Sequence, residues 1–161
     1  MSVARVGIVA AIPYFFGCVG AVTGGWLCDF LTRRGWEPIA GRKLLISSAL
    51  CGISLCTIGT VLAQSNTAAL TFISISLFLI YIASSAAWAT VPIAAPSQYT
   101  ASLGSIQNFG GYLGGALAPT VTGYIVQSTG SFSEALLLSA ALSFLSAAAY
   151  LLLVRQPIQP E

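Results

Sequence analysis

Charged residues are scarce in this chain: of 161 residues only 6% are Asp, Glu, Lys or Arg, and histidine is absent. Soluble domains carry about 25% charged residues, so this composition excludes an ordinary water-soluble globular protein. The isolated acids and the absence of histidine leave no cluster of groups for acid–base or nucleophilic catalysis. We therefore expect a protein that is not an enzyme. The net charge of only +2 also gives no reason to expect a nucleic-acid partner.

Metal and redox sites lack suitable ligands in this sequence. The chain has four cysteines, Cys18, Cys28, Cys51 and Cys56. None is in C-x-x-C spacing, and no histidine could complete a zinc set. We expect the cysteines to act as small apolar packing residues, and we expect no metal and no cofactor.

Apolar residues, by contrast, are abundant, at 57% of the chain with a mean hydropathy of +0.89. A bilayer core of about 30 Å needs about 20 apolar residues per helix. The pattern predicts an all-α integral membrane protein whose helices form a single domain over residues 1–154, with a short cytoplasmic tail at 155–161. The predicted transmembrane helices cover about 6–30, 44–63, 68–95, 102–127 and 133–154.

The basic residues indicate the orientation of these helices. Four of the six lie in one connection: Arg33, Arg34, Arg42 and Lys43. The positive-inside rule places that connection in the cytoplasm, and the four further crossings bring Arg155 to the same side. The sequence therefore predicts a multi-pass protein of the cytoplasmic membrane, with its N-terminus outside and its C-terminus inside.

Asp29 lies beside these cations, at the end of the first predicted helix. A carboxylate is unfavourable at the negative end of the helix dipole, so we expect a cationic partner for it. Arg33 is four residues further on, and Arg42 or Lys43 could approach from the second helix. The alternative is a solvated flank that serves only to set the topology.

The spacing G-x-x-x-D-x-x-x-R is formed here by Gly25, Asp29 and Arg33, followed by Gly41-Arg42-Lys43. It resembles the loop signature of the major facilitator superfamily of secondary transporters, found between the second and third helices and again between the eighth and ninth. Residues 36–40 split the motif. A similar extended loop is typical of the second copy in the anion:cation symporter family. The resemblance implies a gating-loop role for Gly25, Asp29, Arg33, Arg42 and Lys43.

A second, more specific resemblance begins at Asn108. Gly111 follows three residues later, Pro119 eleven residues later, and then the segments G-Y-I-V and T-G-S-F. This pattern is similar to the eleventh helix and following loop of the sugar-acid branch of that family. One departure is Tyr112, where the branch usually has a polar residue.

Polar and aromatic residues suggest a ligand pathway between the third and fourth predicted helices. Ser74, Tyr81, Ser85, Trp88 and Pro92 recur at helical spacing on the third. On the fourth predicted helix, the side-chain amides of Gln107 and Asn108 need hydrogen-bond partners, because they lie within a membrane-spanning segment. Spacing alone favours an interhelical hydrogen bond for Asn108 and an interfacial position for Trp88 over contact with a ligand. The resemblance implies substrate contact, with these candidates: Asn108, Trp88, Ser85, Tyr81 and Gln107.

Glycine spacing in the fourth predicted helix indicates close helix packing. Two overlapping G-x-x-x-G pairs there would let a neighbouring helix approach closely. A proline in the same helix, and Pro92 in the preceding one, are expected to produce kinks. The predicted packing residues are Gly110, Gly111, Gly114, Gly115 and Pro119.

Taken together, the resemblance implies that these helices correspond to helices eight to twelve of a twelve-helix transporter. The chain would then be a partial chain of a proton-coupled symporter for organic anions such as hexuronates, aldonates or aldarates. Its expected partners are membrane lipid, a small organic anion, protons, and the missing N-terminal half or a partner chain. Two alternatives remain open: a non-transporting helical module that binds a partner protein, and a small homodimeric transporter.

Overall fold

The computed structural model describes the backbone of residues 3–154 and the side chains of residues 7–154. This part of the chain is helical and has no strand, which confirms the all-α membrane fold. The predicted positions of Arg155 and of the tail at 155–161 lie outside the described residues. Its five α helices are α1 Val3–Arg33, α2 Pro38–Leu62, α3 Asn66–Ala94, α4 Thr100–Thr129 and α5 Phe132–Leu153, with a short 3-10 turn, Ser97–Tyr99, before α4.

Four of the described helices, α1 from Gly7, α2, α3 and α5, are long and apolar enough to cross a membrane. The remaining helix, α4, has 30 residues and is also long enough. Its many glycine, serine, threonine and amide residues make it less apolar than the others. That α4 spans the membrane therefore stays a prediction, and a helix of this composition is expected to face protein or water rather than lipid along part of its surface.

The turn between α1 and α2 is shorter than the sequence suggested. We expected helix ends near residues 30 and 44, but α1 continues to Arg33 and α2 begins at Pro38. Proline is favoured in the first turn of a helix because its missing N–H has no partner there. Gly35 makes the turn with a φ of 83°. Much of the expected loop insert is therefore the first turn of α2, and both Arg42 and Lys43 are helical.

The helix α3 is at the centre of the bundle. It lies parallel to α1 on one side and antiparallel to α2 on another, while α2 also packs antiparallel to α5. Ala86 of α3 is completely buried. The core between these helices is formed by Cys28, Ile46, Ala49, Ile82, Ala83 and Ala86.

Two glycines of α1 allow its backbone to approach the backbone of α3 closely. A Cβ atom added to Gly20 would lie 2.3 Å from the carbonyl oxygen of Phe78, and one added to Gly24 would lie 2.9 Å from the Cα atom of Ile82. These two glycines form a G-x-x-x-G pair, the spacing that allows backbones to touch in a membrane. The sequence contains this pair, but our prediction assigned glycine packing to α4 alone.

The helix α4 packs much more loosely. Gly104 is its only buried residue, and its contacts are with α3 near that glycine and with α5 further along. The fold therefore combines a tightly packed group of α1, α2, α3 and α5 with one helix whose surface is largely open.

Candidate functional site

Two adjoining cavities of about 320 and 410 Å³ lie between α3 and α4. We call them together the α3–α4 groove. Trp88 of α3 and Asn108 of α4 line both cavities. The remaining lining residues are Ser84, Gln107, Gly111 and Tyr112 in the first, and Val91, Pro92, Thr100, Ala101, Gly104 and Ser105 in the second.

Gly104 lies where the two walls of the groove meet. A Cβ atom added there would lie 3.7 Å from the Cζ3 atom of Trp88 and 3.7 Å from the Cγ1 atom of Val91. The indole ring thus rests against α4 at a position without a side chain. Even so, Trp88 remains 49% exposed. The ring is held at one edge and is open to the groove at the other.

The two amide side chains predicted to contact substrate have no protein partner. Neither Gln107 nor Asn108 makes a side-chain hydrogen bond to any residue within 7–154. The interhelical hydrogen bond that could have explained Asn108 is therefore not formed in this part of the chain. An amide in a membrane-embedded helix needs a partner, so these groups are available to a ligand, to water or to another helix.

The groove is electrically neutral. Residues 44–133, which include all of α3 and α4, contain no charged residue. Its polar groups are the two amides, the hydroxyls of Ser84, Thr100, Ser105 and Tyr112, and the indole N–H of Trp88. Such a lining can exchange hydrogen bonds with hydroxyl groups, while its aromatic faces offer apolar contact.

Ser85 and Tyr81 do not lie in the groove. The Oγ atom of Ser85 donates a hydrogen bond to the carbonyl oxygen of Ala21, at 3.0 Å, and so faces α1. The ring of Tyr81 also faces α1, because a Cβ atom added to Gly17 would lie 2.8 Å from its Cδ2 atom. The structure places both against a helix rather than among the other candidates.

Ser84 is one of the groove residues that the sequence reasoning missed. It lies four residues before Trp88, one helical turn away, and lines the same cavity. The predicted stripe followed Ser85 instead because its spacing to Trp88 is also helical. Ser85 lies three residues before Trp88 and Ser84 lies four before it, and both spacings are helical. Only the position of α1 shows which of the two serines faces the groove.

The cationic partner expected for Asp29 is absent from the described residues. Asp29 is exposed and forms no ion pair within 7–154. The guanidinium of Arg34 instead lies over the ring of Phe30, 4.9 Å from its centroid. Arg42 donates from Nη1 to the carbonyl oxygen of Pro38, at 3.0 Å. Arg34 and Arg42 thus contact residues close to them in the sequence rather than Asp29.

The other members of the predicted loop motif remain accessible. Arg33 is exposed, Lys43 is half-buried, and a Cβ atom added to Gly25 would meet nothing within 4 Å. The gating role of this motif stays a prediction.

The glycines predicted to pack α4 against a neighbour face open space. A Cβ atom added at any of these positions would meet no atom within 4 Å in the described chain, and Pro119 is exposed within a continuous helix. Their packing role is therefore a prediction that concerns a partner outside the described residues. The positions are Gly110, Gly111, Gly114 and Gly115.

Comparison with known proteins identifies the group to which the chain is related. It is 38% identical over 152 residues to a probable L-galactonate transporter of Escherichia coli K12, covering 94% of this chain and 34% of the relative. It is 32% identical to a D-galactonate transporter of Escherichia coli O6:H1, covering 93% of this chain and 34% of that protein. The chain is homologous to sugar-acid transporters. No family model matches it.

The chain is also 26% identical to the hexuronate transporter of Bacillus subtilis, and this match covers 96% of the chain and 37% of that transporter. These matches confirm the resemblance to the sugar-acid branch of the major facilitator superfamily. The chain spans about one third of the length of the curated relatives it matches. With its apolar helices, it is a multi-pass membrane protein whose relatives are named as transporters.

Proposed function

We propose that this chain forms part of a secondary transporter that carries a sugar acid across the cytoplasmic membrane by proton-coupled symport. The observation that carries the proposal is the α3–α4 groove, which Trp88 and Asn108 both line and where the amides of Gln107 and Asn108 have no hydrogen-bond partner among residues 7–154. Relatives of the chain are named as galactonate and hexuronate transporters, which supports a sugar acid as the ligand.

In this proposal the groove is one wall of a central site. Secondary transporters of this kind rock one helical half against the other around a site near the middle of the membrane. The described helices would correspond to helices eight to twelve, and the rest of the transporter would supply the opposite wall. In the proposal, the cationic anchor for the substrate and the proton-coupling carboxylates belong to that missing part, as the resemblance implies. The open surface of α4, including its four unpartnered glycines, is available to those helices.

The proposed orientation follows from the charges at the two ends of the bundle. The end of α1 and the start of α2 carry Arg33, Arg34, Arg42 and Lys43, and the last turn of α5 is at the same end, since Leu151 and Lys43 line one cavity. An excess of Lys and Arg marks the cytoplasmic side. The start of α1 would then face outward.

Sugar-acid uptake by groove variants tests the proposed site. The complete gene product that carries this chain would be expressed in cells lacking sugar-acid uptake, and labelled galactonate and glucuronate would be supplied. We expect Asn108→Ala and Trp88→Ala each to lower kcat/KM at least about tenfold, because each removes a ligand contact worth about 1.4 kcal/mol or more.

The chain offers matched controls for both substitutions. Asn66→Ala and Trp26→Ala alter exposed residues of the same types outside the groove and should leave kcat/KM within about twofold. Unchanged uptake in both groove variants would remove Trp88 and Asn108 from the binding site. No sugar-acid uptake by the unaltered protein would instead favour a non-transporting membrane module.

Proton coupling needs a separate measurement. Uptake by the unaltered protein should fall when a protonophore removes the proton gradient, and it should rise when an inward proton gradient is imposed on vesicles. Uptake that ignores the proton gradient and follows a sodium gradient would contradict the proposed coupling ion while leaving the sugar-acid site intact.

A further inference from the structure

The neutrality of the α3–α4 groove bears on which part of a ligand it can hold. Its lining residues supply amide, hydroxyl and indole groups but no cation, and the flanking segment 44–133 is free of charge throughout. A carboxylate moved from water into a site without a cationic partner loses hydration that neutral groups replace poorly. Sugar hydroxyls, by contrast, find both donors and acceptors on the side chains of Gln107 and Asn108.

The groove also has two aromatic residues that suit the carbon skeleton of a sugar. Trp88 from α3 and Tyr112 from α4 line the same cavity, and Tyr112 is 74% exposed. Its hydroxyl makes no hydrogen bond to any residue within 7–154. Aromatic faces make favourable contact with C–H groups, while a phenol hydroxyl and an indole N–H can bond to sugar oxygens.

We propose that the groove takes the uncharged, hydroxylated part of a monocarboxylic sugar acid, an aldonate or a hexuronate, while the carboxylate lies outside the groove. The protein would then discriminate against aldarates, which carry a carboxylate at each end. With one carboxylate anchored elsewhere, the second would be forced among the neutral side chains of Trp88, Gln107 and Asn108. This inference rests on the proposed function and selects one substrate class from those it allows.

Competition for uptake tests the selection directly on the unaltered protein. Uptake of labelled galactonate by the complete gene product would be measured with increasing unlabelled galactonate, glucuronate, galactarate and glucarate. We expect half-inhibition by the two aldarates to need at least about tenfold higher concentration than half-inhibition by galactonate. Equal competition by the aldarates would overturn the inference and leave sugar-acid transport standing. Absence of any sugar-acid uptake would overturn the proposed function and this inference with it.

A cation placed in the groove should reverse the preference. Gln107→Lys would offer a partner to the second carboxylate, so the ratio of galactarate to galactonate uptake should rise at least about tenfold. Gln127→Lys is the matched control, since Gln127 is exposed on the same helix and lines none of the cavities described above. An equal change in both variants, or none in either, would contradict the inference.

A second groove variant guards against a folding failure at the half-buried Gln107. Tyr112→Lys changes a side chain that is largely exposed, and it should raise the same uptake ratio. Its amount in the membrane would be compared with that of the unaltered protein by quantitative immunoblot. A Tyr112→Lys protein present at normal level that still excludes galactarate would count against the proposed charge discrimination.

Discussion

Helix α3 packs closely against α1 and loosely against α4, and the contrast between these two neighbours separates structural support from the candidate site. On the α1 side, Gly20 and Gly24 bring the two backbones together, and Ser85 donates a hydrogen bond to Ala21. On the α4 side, Gly104 is the only buried residue of α4, and side chains of both helices line the α3–α4 groove. Tight packing on one face fixes the position of α3, so the side chains on its other face can be held in place beside an open space.

The same contrast shows that glycine spacing alone does not identify a packed interface. Gly20 and Gly24 of α1 share the G-x-x-x-G spacing with Gly110 and Gly114 of α4. The first pair touches α3, whereas an added Cβ atom at either of the second pair meets nothing within 4 Å. What differs is whether a neighbouring helix approaches to contact distance at these glycines.

Alanine in place of these glycines should give the largest difference between the two faces. A Cβ atom in Gly20→Ala would collide with the backbone carbonyl of Phe78, which cannot rotate away as a side chain could. We expect the free energy of unfolding to fall by about 1–3 kcal/mol, measured by thermal unfolding of the 161-residue chain in detergent.

The control for this prediction is Gly114→Ala. Its Cβ atom has open space around it, so the variant should be unchanged or stabilised by up to about 1 kcal/mol, since alanine favours the helix. Equal unfolding temperatures for the two variants would mean that the α1–α3 contact does not hold the chain together.

Two tyrosines of α3 and α4 provide the next comparison. Tyr81 packs its ring against Gly17 of α1, so Tyr81→Ala removes packing contacts and should cost about 1–2 kcal/mol of stability. Tyr112→Ala should leave the unfolding temperature of the chain unchanged and alter sugar-acid uptake instead, because Tyr112 lines the groove. A loss of stability in Tyr112→Ala similar to that in Tyr81→Ala would break the distinction between the two faces.

Adjacent serines provide the smallest and most closely matched test. Ser85→Ala removes the hydrogen bond to Ala21 and should lower stability by about 0.6 kcal/mol, the typical value for such bonds between membrane helices. Ser84→Ala removes a hydroxyl from the groove and should reduce uptake without changing stability. Stability would be measured by thermal unfolding, and uptake by its kcat/KM. If Ser84→Ala lowered stability and Ser85→Ala lowered only uptake, the assignment of Ser85 to the α1 contact and Ser84 to the groove would be wrong.

The number of helices and their short connections could be predicted from the sequence because long apolar runs are a strong signal. The α1–α2 turn could not be placed as well, since Pro38 and the cations at Arg42 and Lys43 look like loop residues but fit the first turns of a helix. The extended α2 also accounts for one of the expected partners of Asp29, because Arg42 donates a hydrogen bond to the carbonyl oxygen of Pro38 in its own helix.

The candidate site could be predicted only in part. Trp88, Asn108 and Gln107 come together in the groove, but Ser85 and Tyr81 turn toward α1 and Ser84 takes their place. Helical periodicity groups residues within an arc of about 100° and does not say which neighbour that arc meets. The outcome depended on the Gly20–Gly24 contact, which rotates α3 so that Ser85 points at α1.

The most direct test of the central claim, that a sugar acid occupies the α3–α4 groove, is ligand protection of a single cysteine. With all native cysteines replaced by alanine, Ser84→Cys and Ser85→Cys would be labelled with a maleimide in the complete gene product, with and without galactonate or glucuronate. The account predicts that the sugar acid slows labelling at position 84 and leaves position 85 unaffected, because only residue 84 lines the groove. Labelling at position 84 that saturating sugar acid does not slow would contradict it.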